Sequence, residues 1–303
     1  MKGCIAGDVV GSTLEYKSCK DYSFPILCPH SHITDDTIMA VAVTQAAMDD
    51  MDNYEDMLVK WGLAYIEKDY GPSFRRWLMD YYRTPYNSWG NGSAMRIGGI
   101  PWIAKGIAET ENMAIRSALP THNHCEGIIG ACAVAVATRM ALEGYSKNDI
   151  EQTITEHYGY DLSFDIHAIK KTYTYDVSCQ GTVPIAIKCF LVSSSYEDAI
   201  RLAISMGGDA DTLGAITGNI AEAFYGMDEE IWKKVFVLIP DDIKCVLKEF
   251  QAYPKTLNKT PINLIGRQEN YRYFASPGDF KPSSVSNVNN QSLIRKLWKR
   301  MFT

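Results

Sequence analysis

No segment of this chain shows sustained period-two alternation of apolar and polar residues, which argues against a sheet and for a nearly all-α protein. Long hydrophobic runs are missing as well. The longest uncharged apolar stretch, residues 127–138, is too short to cross a bilayer. Near the start, Lys2 is followed almost at once by Asp8, so no uninterrupted export signal core forms. The eight cysteines contain no C-x-x-C pair, and neither a zinc site nor a disulfide framework is indicated. Reduced thiols and a cytoplasmic location are the expectation. A positive charge excess is also lacking. The formal net charge of −6 gives no general affinity for nucleic acid or anionic membrane, so no nucleic-acid partner is expected. What remains is 303 residues with 46% hydrophobic content, enough for one large helical core.

The stretch that organises the chain is 206–226, MGGDADTLGAITGNIAEAFYG. Two glycines permit a tight turn, and Asp209, Asp211 and Thr212 then precede an apolar helix. Thr212 or Asp211 can cap that helix, which accounts for one acid. Three oxygen-bearing side chains at one helix start also suit a hard cation.

A second start has the same form. In HITDDTIMAVAVTQAAM, residues 32–48, Thr34 is the expected N-cap, Asp35 and Asp36 fill the first turn, and a buried helix follows. Adjacent acids repel, and a cation shared with another acid cluster would relieve them. Two such starts can face each other across a cleft. The first stretch, 3–16, carries Gly3, Gly7 and Gly11 at spacing four, one helix face able to approach a neighbour closely. Asp8 and Glu15, seven apart, are expected on one face of the same helix. The phosphate-binding loop is excluded because its Lys-Ser/Thr pair is missing.

Between these pieces the sequence reads as amphipathic helices at 54–68 and 72–83, and a glycine-rich loop at 87–102 able to cradle a diphosphate. Thr121 or Asn123 is then expected to cap a long Ala/Gly-rich helix. His122 and His124 stand at its start, without the i, i+4 partner of a zinc helix, so capping and contact with a polar substrate both stay open. Further helices are expected at 147–157, at 184–194 with Pro184 in the first turn, and at 197–205, 229–238 and 241–253, the last capped by Asp241. After residue 252 the composition changes. Residues 253–303 hold nine Lys or Arg against two acids and end in a short basic helix, SLIRKLWKRMF. The expected division is a body, 1–252, and a basic C-terminal extension, 253–303, docked on it or partly flexible.

Five ordered blocks carry a resemblance to a known family: Gly7-Asp8 with Gly11 and Glu15; Thr34-Asp35-Asp36-Thr37; Gly90-Asn91-Gly92-Ser93-Ala94-Met95-Arg96; Thr121-His122-Asn123-His124; and Gly207-Gly208-Asp209-Ala210-Asp211-Thr212. Over roughly residues 3–250 the chain resembles the ADP-ribosylglycohydrolase family, which includes the enzyme that reactivates dinitrogenase reductase. The resemblance implies an all-α orthogonal helical bundle with two Mg²⁺ or Mn²⁺ ions in a central cleft. Carried over residue by residue, the metal ligands would be Thr34, Asp35, Asp36, Asp209, Asp211 and Thr212. Glu15 would gate or assist, and Asp35, Asp36 or Glu15 would activate water. Asn91, Gly92, Ser93 and Met95 would hold diphosphate and ribose, with His122 and His124 as a polar wall. Cys125 stands where relatives commonly have Pro.

The implied reaction is hydrolysis at C1″ of ADP-ribose, most readily from arginine in an ADP-ribosylated protein, by a monomeric enzyme releasing ADP-ribose. The alternatives are a non-catalytic ADP-ribose-binding or structural protein on the same fold, a hydrolase of other ADP-ribose conjugates, or a dinuclear phosphohydrolase that cuts the pyrophosphate.

Overall fold

A computed structural model describes residues 1–49, 53–265 and 271. Its helices are, in chain order, α1 Lys2–Gly11, α2 Asp35–Met48, α3 Tyr54–Ala64, α4 Pro72–Met79, α5 Gly92–Met95, α6 Ile100–Ile103, α7 Ile107–Ala118 and α8 Cys125–Leu142. There follow α9 Lys147–Tyr158, α10 Ile166–Lys170, α11 Cys179–Val192, α12 Tyr196–Ile204, α13 Ala210–Tyr225, α14 Glu229–Phe236 and α15 Asp241–Ala252. Among the described residues there is no strand, only a single antiparallel bridge between Gly90 and Ser178. The protein is all-α, as the sequence pattern requires.

The core is built around α13 and α8, whose small and aliphatic side chains are almost all buried. α8 is long and apolar enough to cross a membrane, but 83% of it is buried in this fold. Its composition is explained by packing against α7, α11 and α13.

The closest helix contact joins α1 to α13. A Cβ on Gly7 would lie 1.9 Å from the carbonyl oxygen of Gly214, and one on Gly3 would lie 2.2 Å from that of Gly218. Gly11 faces Ala210 in the same way, at 2.5 Å. The pairing 3–218, 7–214, 11–210 makes the helices antiparallel, in backbone contact along a seam that only glycine permits. It delivers the end of α1 to the start of α13. The predicted glycine face is real, and Gly214 and Gly218 supply its matching half.

Several local expectations are corrected. α1 stops at Gly11, so Glu15 lies in the following turn and not on one helical face with Asp8. The α8 cap is His124, whose Nδ1 accepts from the Glu126 amide at 3.1 Å, in place of Thr121 or Asn123. α11 starts at Cys179, five residues before Pro184, because the Ser178 hydroxyl caps it by accepting from the Gly181 amide. Pro184 therefore sits inside the helix and withholds one internal hydrogen bond. Pro240, not Asp241, occupies the N-cap of α15. The short α10 is an addition to the helices read from sequence.

Beyond α15 the chain returns over α7–α9. Thr256 O accepts from Arg139 at 2.7 Å, Thr260 bonds buried Glu143 through its amide and hydroxyl, and the Ile265 amide donates to Glu111 at 2.7 Å. Tyr271 is fully buried and donates its hydroxyl to Glu111. The expected basic helix at 292–302 lies outside the described residues.

Candidate functional site

Each half of the site begins as a helix start. At α2, the Thr34 hydroxyl caps the Asp36 amide, and Asp35 and Asp36 follow in the first turn, as expected. At α13, Gly207 and Gly208 adopt φ of +70° and +83°, conformations that glycine takes without strain. Asp209 is the N-cap residue there, but its side chain makes no capping bond. Asp211 is held by the Thr212 amide at 3.0 Å. The acids of this start are thus turned away from capping and toward the cleft.

The two starts meet. The Thr212 hydroxyl contacts Asp36 Oδ2 at 3.4 Å, while carboxylate oxygens of Glu15, Asp209 and Asp211 come within 4.8 Å of one another. All these acids line one cleft of about 800 Å³, within the range of small-ligand and cofactor sites. Asp36, Asp209 and Asp211 are almost fully buried, and Asp35 is half-buried.

Burial, reinforced by the neighbouring carboxylates, pushes every one of these acids up, Asp35 to about 8 and Asp36 and Asp211 well above the usual carboxylate range. Glu15 and Asp209 are raised for the same first reason. Among the described residues no Lys or Arg forms an ion pair with any of them. One buried oxygen, Asp36 Oδ1, has no hydrogen-bond partner at all. Crowded carboxylates with an orphaned oxygen fit a hard divalent cation, which takes oxygen ligands and replaces the missing counter-charge. The predicted metal residues Asp35, Asp36, Asp209, Asp211 and Thr212 are therefore together, and Glu15 joins them. Thr34 does not line the cleft. Its hydroxyl donates to Asp8 and accepts from Asp36 N, leaving one lone pair.

The other wall comes from the glycine-rich loop. Asn91 Nδ2 donates to Asp209 at 2.7 Å and to the Thr182 hydroxyl at 3.1 Å, so this side chain tethers an acid of the opposite wall. Gly92 faces His122, where an added Cβ would stand 3.1 Å from Nε2. The neighbours of His122 give its tautomer by assignment. The Thr121 hydroxyl accepts from Arg96 Nη2 at 2.9 Å and lies 2.7 Å from His122 Nδ1, its one side-chain acceptor here, to which its proton is assigned. Nε2 then carries the ring hydrogen and presents it to the glycine loop. Burial and nearby Arg96 hold this imidazole far below its usual pKa, so it is a neutral donor.

Met95 lines the cleft, but two predicted binding residues do not. The Ser93 hydroxyl is spent on Gly127 O at 2.6 Å, and His124 is the α8 cap.

Sequence reasoning missed the mouth. Tyr16 and Tyr175, both solvent-exposed, stack with ring centroids 6.0 Å apart at 25°, and the Tyr175 hydroxyl reaches Glu15 at 3.4 Å. Exposed Asp69 lies on the same cleft. These residues come from three separate loops, and no spacing links them.

Comparison with known proteins accords with this geometry. The chain is 26% identical to ADP-ribosylhydrolase ARH3 of Homo sapiens, over 77% of this chain and 88% of that one. It is 23% identical to ADP-ribosylarginine hydrolase Tri1 of Pseudomonas putida (strain GB-1), over 74% and 69% respectively. A solved structure, the ADP-ribosylglycohydrolase-related protein complex, shares the fold with a TM-score of 0.64 at 23% identity, covering 83% of this chain and 95% of its own. The sequence model of one family, ADP-ribosylglycohydrolase, spans residues 1–259, seven residues past the end of α15. From the antiparallel glycine seam to the facing acids it assembles, the chain belongs to the ADP-ribosylglycohydrolase family and is a glycosidic-bond hydrolase of ADP-ribosyl conjugates.

Proposed function

We propose that the cleft hydrolyses the bond between C1″ of ADP-ribose and an arginine side chain of a modified protein, with Mg²⁺ or Mn²⁺ as cofactor. The observation that carries this reading is the position of Glu15. It stands between the acids Asp209 and Asp211 and the stacked pair Tyr16–Tyr175. The acid side suits the distal ribose and the cation. The aromatic side suits the acceptor, because a guanidinium is planar, stacks on aromatic faces and is attracted by carboxylates such as Glu15 and Asp69. A serine acceptor offers neither plane nor charge.

Asp35, Asp36, Asp209, Asp211 and Thr212 would hold up to two cations. Bound there, the cations supply Lewis-acid alignment of ribose hydroxyls and water and ease deprotonation of that water. The chain does the rest. The glycine loop and the His122 Nε2 hydrogen offer neutral donors to the nucleotide part. Asp35, the half-buried acid facing the cleft, accepts the proton of the attacking water at a carboxylate oxygen, with Asp36 and Glu15 as the neighbouring candidates. Positive charge builds on the ribose as the bond breaks, and the surrounding carboxylates stabilise it.

The test is release of free ADP-ribose from arginine-ADP-ribosylated protein, with Mg²⁺ and with chelator, beside Asp35→Ala and Asp211→Ala. Metal-dependent release abolished by both substitutions is expected. Release of AMP would show a pyrophosphate cut instead. Binding of ADP-ribose without release from any conjugate would make the protein a binding module.

A further inference from the structure

The reaction proposed above leaves one buried acid of the cleft region without a role. Asp8 is fully buried in the middle of α1, does not line the cleft, and has no Lys or Arg partner among the described residues. Its carboxylate nevertheless accepts four hydrogen bonds, all from the start of α2. Oδ1 takes the Thr34 hydroxyl at 2.7 Å. Oδ2 takes the Thr34 and Thr37 amides, each at 3.1 Å, and the Thr37 hydroxyl. Two of the four donors are amides and cannot reverse. Oδ2 is thereby filled as an acceptor, while Oδ1 keeps one lone pair beyond the one that takes the Thr34 hydroxyl.

In this network the Thr34 hydroxyl is a donor to Asp8. One of its lone pairs is occupied by the Asp36 amide at 3.2 Å, and the second is free. Asp8 also sits at the positive end of α2, where an anion is favourable, and it grips two amides one turn apart. The first turn that carries Asp35 and Asp36 is thereby held in one place relative to α1. Because α1 is locked to α13 through the glycine seam, the same carboxylate sets the position of one acid pair against the other.

We propose that Asp8 is a positioning residue for the cation site. It holds the Thr34 hydroxyl and the Asp35–Asp36 turn in one arrangement against the opposite acids, and so sets metal affinity without being a ligand. This rests on the metal reading of the cleft, and the experiment separates the two.

The experiment is isothermal titration of metal-free protein with Mn²⁺, for wild type, Asp8→Asn, Thr34→Val and the double variant, each checked for native helicity by circular dichroism. Asparagine keeps the shape but substitutes a donor for one acceptor oxygen. The expected loss for Asp8→Asn is about 10- to 100-fold in Mn²⁺ affinity, the usual range for removing a group that orients a ligand. In the Thr34→Val background the same change should cost less than about 3-fold, since part of its effect acts through that hydroxyl and coupled residues are not additive. A wild-type affinity in Asp8→Asn would overturn the proposal and leave Asp8 a fold residue only, and equal losses in both backgrounds would overturn the part of it that acts through Thr34. Failure of the wild-type protein to bind Mn²⁺ would overturn the metal reading, and the proposal with it. If Asp8→Asn does not fold, Thr34→Ser against Thr34→Val replaces it. Retention of affinity by Ser and loss by Val supports the held hydroxyl, and equal affinities refute it.

Discussion

Gly7→Ala adds one methyl group at the tightest point of the molecule. The new Cβ would stand 1.9 Å from Gly214 O and 2.3 Å from Gly214 C, where ordinary contact begins at 3.4 Å. The helices must therefore part by about 1.5 Å, the difference 3.4 − 1.9, and both obstructing atoms are backbone that no rotamer can move aside. Overpacking costs about 1–3 kcal/mol in general, and a rigid backbone obstacle belongs at the upper end. Alanine returns about 1 kcal/mol through better helix propensity. The net expectation is a loss of about 2 kcal/mol, or about 4–8 °C in Tm for a domain of this size. The site should suffer more than the fold, because α1 carries the turn with Glu15 while α13 carries Asp209 and Asp211. A misplacement of about 1 Å can lower activity about 100-fold. Urea denaturation and ADP-ribose release would be measured together. Gly71→Ala is the control for stability, since Gly71 has open space around its Cβ direction and an ordinary φ of −52°. If Gly7→Ala proved as stable and as active as wild type, the account of the seam would be wrong.

Two further outcomes follow from the same geometry. Asn91→Ala removes the 2.7 Å bond to Asp209, so kcat/KM should fall by about 10-fold or more, at a stability loss of about 1.5–3 kcal/mol for a bond to a charged group. Unchanged kinetics would refute the tether. Burial pushes Glu111 from 4.5 up to about 7, so its neutral form is favoured in the fold. Its stabilising contribution is complete below the unfolded pKa and is lost as pH rises through about 7, a fall of about 3 kcal/mol. Glu111→Gln stays neutral. The stability difference between wild type and variant, from urea denaturation at pH 5 and pH 8, should therefore shift by about that amount in the variant's favour, and parallel curves would sink the argument.

The acids and caps of α2 were legible because they obey local rules: a hydroxyl, two acids, then a buried helix. The glycine face of α1 was legible for the same reason, although its partner stripe, Gly214 and Gly218, went unread inside an apolar run. What escaped was set by contacts distant in sequence. Glu15 looked helical by spacing, but α1 ends at Gly11 and the turn brings Glu15 to Asp209 and Asp211. Asn91 had the residue type of a ligand contact, and its bonds to Asp209 and Thr182 depend on two other helices. Pro184 suggested a helix start, yet the Ser178 cap lies upstream and the helix tolerates the proline. The Tyr16–Tyr175 pair joins residues 159 positions apart and has no sequence signature.

The seam between α1 and α13 also dictates when the protein becomes competent. Gly7 must find Gly214, a partner 207 residues later in the chain. Contacts of such long range are among the slowest to form, since a very large loop must close before they stabilise anything. On the ribosome, α1 and the acids of α2 emerge first and wait, with their glycine face and carboxylates unmatched, until α13 has been made. A nascent or truncated chain that stops before residue 209 carries half of the acids and none of their counterparts. Hydrolysis thus waits for the acids of both helix starts, and α1 is sealed in place only after α13 has been made.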